Sequence, residues 1–126
     1  SERSRGLGDV YKRQPGTIAS DVSEASTYTL DYGVSSTATF KRPDIDVTLS
    51  LTNVSDLEGM TVHVTAFVVQ NTTPHTMSGI LINGNSANQF NISGVNTMNS
   101  TANTINTFDI KAVYFENEWN ATCIVG

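Results

Sequence analysis

Between Asp44 and Leu51 the chain alternates without a break: Ile45, Val47, Leu49 and Leu51 are apolar, and Asp44, Asp46, Thr48 and Ser50 are polar. Successive side chains of a β-strand point to opposite faces, so strict alternation places one face in a core and the other in water. A half-buried strand of this kind is the usual component of an antiparallel sheet with one solvated face. The same period returns along the chain. Tyr28, Leu30 and Tyr32 share a face within residues 26–32, as do Ala38 and Phe40 within 36–40. Val62, Val64, Ala66 and Val68 do so within 60–69, and Phe108, Ile110, Ala112 and Tyr114 within 104–115. Shorter strands are expected at 77–83, at 89–93, where Phe90 and Ile92 pair on one face, and at 119–125. Asn83-Gly84 is a dipeptide suited to the tight primed turn of a hairpin, and residues 116–118 make a second tight connection. No helical period of useful length interrupts the pattern.

About eight strands, separated by turn-forming residues, predict one all-β domain: an antiparallel β-sandwich or a jelly-roll-like barrel. Composition agrees. The chain of 126 residues contains 17 Thr, 13 Ser and 12 Asn, a third of the total. Thr suits strands through its branched Cβ, and Ser and Asn suit turns.

Charge is low and uneven. The formal net charge is −5, but residues 1–14 carry four cations against two carboxylates. The rest has Lys41, Arg42 and Lys111 against ten carboxylates, a balance of −7. Three scattered cations cannot neutralise a phosphate backbone, which argues against nucleic acid as a partner. No apolar run approaches the ~18 residues of a membrane-spanning helix.

Residues 4–14 resemble the conceptual translation of a transposon-type sequencing adapter, matched codon for codon over the whole stretch. We therefore expect residues 1–14 to be an artefact rather than native sequence, with a lead-in at 15–25 and a single β-sandwich domain at 26–126. On this expectation the chain is the C-terminal piece of something longer, and the basic N-terminal patch is not functional.

Residues that could carry chemistry are few. His63 lies on the polar face of its strand, and His75 sits in a loop with no ligand-type neighbour at metal-binding spacing. Asp44 and Asp46 share the polar side of a strand, which reads as a solvated face that discourages sheet-edge association. Glu116 and Glu118 read as turn residues. The single Cys123 alternates with Trp119, Ala121 and Val125 and reads as a small buried hydrophobe. No nucleophile elbow, phosphate loop or Cys–His pair is present, so no enzyme, cofactor or metal site is proposed. Five Asn-x-Ser/Thr sequons, at Asn53, Asn71, Asn91, Asn99 and Asn120, are explained by the Ser/Thr content. The aromatic residues around the last hairpin admit two readings. Trp119 and Tyr114 could plug the core, or Trp119 and Phe115 could form a weak recognition surface of the kind that stacks on sugars.

The second half carries a resemblance. Gln70 after an aliphatic strand, Asn83–Gly84 in a short strand and turn, Thr101–Ala102–Asn103, and then Ile105, Phe108 and Ile110 follow in order. Trp119 precedes a terminal Val125–Gly126. This pattern resembles the C-terminal β module of tail-fibre-like and other structural proteins of tailed bacteriophages, marine ones in particular, over residues 27–126. Phe90 departs from it, since related modules often carry Trp there. The resemblance implies a non-enzymatic virion protein acting in assembly or host attachment. Its partners would be other virion proteins or copies of itself, as a homotrimer, and a host surface glycan. The alternative is a carbohydrate-binding or immunoglobulin-like adhesion module of a secreted bacterial protein, which would be extracellular.

Overall fold

The computed structural model describes residues 17–20, 27–88, 92–93 and 98–126. The adapter-like residues 1–14, Phe90 and Asn91 lie outside them. Among the described residues ten strands run in chain order: β1 (Thr17–Ser20), β2 (Thr27–Asp31), β3 (Thr37–Lys41), β4 (Val47–Thr52), β5 (Thr61–Val69), β6 (Met77–Ile82), β7 (Asn85–Ser86), β8 (Ile92–Ser93), β9 (Ile105–Phe115) and β10 (Glu118–Val125). They form a six-stranded sheet, β1-β3-β5-β9-β10-β8, and a four-stranded sheet, β2-β4-β6-β7. The all-β, two-sheet sandwich expected from alternation is what the chain adopts.

The sense of pairing differs from the antiparallel expectation. β1, β3 and β5 are parallel neighbours in the larger sheet, and β2, β4 and β6 are parallel neighbours in the smaller one. The first six strands therefore alternate between the sheets, and each connection between parallel neighbours runs through a strand of the opposite sheet. A parallel crossover needs a dozen or more residues and is usually a helix; here the other sheet supplies it. The first winding advances by 21 positions in both sheets, pairing Thr17 with Ala38 and Thr27 with Thr48. Among the described residues antiparallel pairing enters only with the hairpins β6–β7 and β9–β10 and with the long ladder between β5 and β9. At the far edge, β8 pairs in parallel with β10. Thr17–Ser20, within the expected lead-in, is thus part of the larger sheet.

One hydrophobic core fills the space between the sheets. Leu30, Leu49, Leu51 and Ile82 come from the smaller sheet, and Phe40, Val64, Val68, Phe108 and Ile110 from the larger; all are buried. The outward positions of β2 and β4 are hydroxyl-bearing, with Thr27, Thr29, Thr48, Ser50 and Thr52 partly or fully exposed. Part of the high Thr and Ser content is therefore the wet face of the smaller sheet. The smaller sheet has fewer strands, and loop residues help to complete the core: Val54 is buried in it, and Met60, Ala87 and Met98 pack against it.

Candidate functional site

Side-chain amides hold those loops in place. Gln70, fully buried just after β5, donates from Nε2 to the carbonyl of His75 at 2.8 Å and accepts the His75 amide on Oε1 at 2.8 Å. Asn106, 2 % exposed on the inner side of β9, does the same for Asn99, at 2.7 Å in each direction. Asn83 donates to the carbonyl of Val54, and its Oδ1 lies 3.4 Å from the Val54 amide. In each case one amide side chain substitutes for a strand partner, because it offers a donor and an acceptor in the spacing of a peptide group. Part of the Asn and Gln content is therefore internal scaffolding.

Asn83 also holds Asp56, which lines a cleft of about 280 Å³. Asn83 and Gly84 both take positive φ, 51° and 85°, the conformation of the primed hairpin turn expected from the sequence. This turn brings Asn83 Nδ2 to 3.1 Å from Asp56 Oδ1, in the loop between β4 and β5. The same carboxylate oxygen accepts the indole Nε1–H of Trp119 at 2.7 Å. Across the cleft, Asn88 is bound on both sides by β10: its amide donates to the Trp119 carbonyl at 2.8 Å, and its carbonyl accepts the Ala121 amide at 2.9 Å. Its side chain donates to Glu118 Oε2 at 2.9 Å. Tyr114 lies opposite Trp119 on the β9–β10 ladder, with ring centroids 5.3 Å apart and planes at 60°. Asn85 of β7 closes the rim.

Of the two readings of the last hairpin, Trp119 belongs to the core: it is 3 % exposed and its indole N–H is satisfied internally, so its ring offers no open face to a ligand. Phe115 is 41 % exposed but lies on the opposite, outward side of β9 and does not line the cleft. The expected pair is therefore not brought together. The aromatic residue that is partly buried at the cleft is Tyr114. Asp56, Asn85 and Asn88 had no sequence signal beyond being polar turn residues. Asn83-Gly84 as a turn and Trp119 in the last hairpin were the visible signals.

The remaining candidates disperse. His63 pairs with Asp109 on the outer face of the larger sheet. His75 Nδ1 stands 3.1 Å from Asp46, which also accepts the Thr76 amide at 3.0 Å. Asp44 accepts Asn71 Nδ2 at 2.8 Å. Asp44 and Asp46 thus precede β4 and bind the loop after β5, rather than guarding a sheet edge; β4 is an interior strand. Among the described residues no group of three or more His, Cys, Asp or Glu side chains is placed to hold a metal ion. Cys123 is buried, and burial, reinforced by the charge of Asp109, pushes its thiol up to about 11. It is a core residue held in its neutral form. Glu116 occupies the β9–β10 turn, and Glu118 opens β10.

Comparison with known proteins finds no match: no family model, no curated protein and no solved structure. No helix among the described residues is long and apolar enough to cross a membrane.

Proposed function

We propose that the chain is a non-enzymatic structural module of a virion, part of a phage tail fibre or surface protein that works in assembly or host attachment. The observation that carries this reading is where the residues of the family resemblance fall. Asn83 and Trp119 converge on a single oxygen of Asp56. Gln70 is fully buried, and its backbone carbonyl accepts the amide of Asn103, while its amide donates to Thr104. Phe108 and Ile110 are core residues of the central ladder. Apart from the exposed Ile105, these resembling positions fix loops to sheets or fill the core, as expected if the resemblance reflects shared architecture rather than shared chemistry. A rigid two-sheet body with a neutral, hydroxyl-rich face suits a particle-surface protein, and its partners are other virion proteins or further copies of the chain.

Long-read sequencing across the source locus tests the reading. Capsid, portal or tail genes flanking this reading frame are the expected result. A glycoside-hydrolase domain fused in the same frame, or a bacterial secretion operon, would overturn it in favour of a carbohydrate-binding module of a secreted protein.

A further inference from the structure

We propose that the cleft between Asp56, Tyr114 and Glu118 is a binding subsite for one neutral sugar ring of a glycan. The inference rests on the attachment reading for its biology, and on the cleft alone for its chemistry. Its volume of about 280 Å³ lies just below the ~300–1,000 Å³ of pockets that take drug-sized molecules, so it suits a single ring with its substituents.

The lining specifies what kind of ring. Asp56 and Glu118 are each held through one oxygen, by Trp119 with Asn83 and by Asn88 respectively. The second oxygen of each carboxylate makes no hydrogen bond among the described residues. Two oriented carboxylates accept hydroxyl protons in charge-assisted hydrogen bonds, and the Asn85 amide can both donate and accept. Tyr114, partly buried beside Trp119, gives the cleft an apolar wall against which the C–H face of a pyranose can rest. None of Lys41, Arg42 and Lys111 lines the cleft. Among the described residues no cation lines the cleft, so an anionic sugar would meet two carboxylates there, which selects against sialic and uronic acids.

The groups are also pre-set. Trp119 fixes Asp56, and backbone bonds on both sides of Asn88 fix the partner of Glu118. Binding then needs little side-chain ordering, the term that most weakens small polar ligands. One shallow ring site still predicts a Kd in the millimolar range, and multiple copies on a particle would raise it to useful avidity.

The experiment is an amide-resolved NMR titration of the full chain with methyl glycosides of galactose, glucose and mannose, with N-acetylneuraminic acid as the anionic probe. We expect at least one neutral glycoside to shift the amides of Asn85, Asn88, Tyr114 and Glu118 at up to ~10 mM. We expect Asn85→Ala and Glu118→Gln each to weaken that binding about tenfold while amides outside the cleft keep their positions. No cleft shifts with any neutral glycoside, or equal or larger shifts with N-acetylneuraminic acid, would overturn the proposal. The locus test is independent. Tail genes at the locus with no sugar binding would sink the subsite and keep the virion reading, and sugar binding at a bacterial locus would do the reverse.

Discussion

Single amide side chains decide where the long connections go. Gln70 illustrates the physics, because its fully buried amide meets both backbone groups of His75. Removing one partner of a buried pair leaves the other desolvated, and that loss exceeds the modest net gain of making the bond. Gln70→Met preserves length and apolar volume but leaves the His75 amide and carbonyl unmatched. We expect it to destabilise the protein by about 2–4 kcal/mol, since two polar groups are orphaned together. Urea denaturation with the m-value held constant measures this. A change below about 0.5 kcal/mol would mean that water satisfies His75 and that Gln70 is no clamp. The sequence marks Asn83 as a turn residue and Gln70 as a position of the resemblance, but neither signal shows that the side chain clamps a loop, and nothing separates Asn106 from the polar residues around it. Only the return of the chain shows which amide faces a stranded peptide group, and so the walls of the cleft were not legible beforehand.

At the scale of elements, the two hairpins solve one problem with different residues. Asn83-Gly84 uses a pair that tolerates positive φ. The β9–β10 turn uses Glu116 and Asn117, at φ 53° and 65°. An L-residue without a short polar side chain pays about 1–2 kcal/mol in the left-handed region, and Asn pays less. Glu116→Asn therefore should raise stability by roughly 0.5–1 kcal/mol, seen as a higher Tm, with the Glu116 amide still free to donate to Glu58 Oε1. A fall in Tm would show that the Glu116 side chain supports the turn in some other way. The strands themselves were legible. β4, β5, β9 and β10 lie within a few residues of the alternating segments, because alternation records burial directly. The parallel pairing of β4 with β2 and β6, and of β5 with β3, was not. Buried parallel sheets usually show continuous apolar runs, since helices cover both faces. Here each parallel sheet keeps one face in solvent, so Leu49 and Leu51 alternate with Thr48 and Ser50 as an antiparallel strand would. β1 and β7, with four and two residues, are too short to show a period.

The winding has a consequence for the whole molecule. β3, β4, β5 and β6 pass alternately between the two sheets. The smaller sheet therefore cannot leave the larger one without pulling on both β3 and β5, which are paired in register over five residues. β5 is in turn bound along its whole length to β9, from Thr61–Val113 to Val69–Ile105. A sandwich made of two consecutive hairpin sheets could open one sheet as a unit, whereas a chain wound through both should open them together. Native-state hydrogen exchange reads this directly, because each amide reports the free energy of the smallest opening that exposes it. Amides of β4, held between β2 and β6, should exchange with the same opening free energy as those of β5 and β9, equal to the global value from denaturant titration. Amides of β7, joined to β6 by only two residue pairs, should exchange through a much smaller local opening. If β4 exchanges through an opening clearly smaller than that of β5, the smaller sheet unfolds alone and the winding does not couple the layers. If both share one value, the alternation of strands between sheets makes this small, acidic, hydroxyl-rich domain a single cooperative body, and it holds the two hairpins of the cleft in fixed relation.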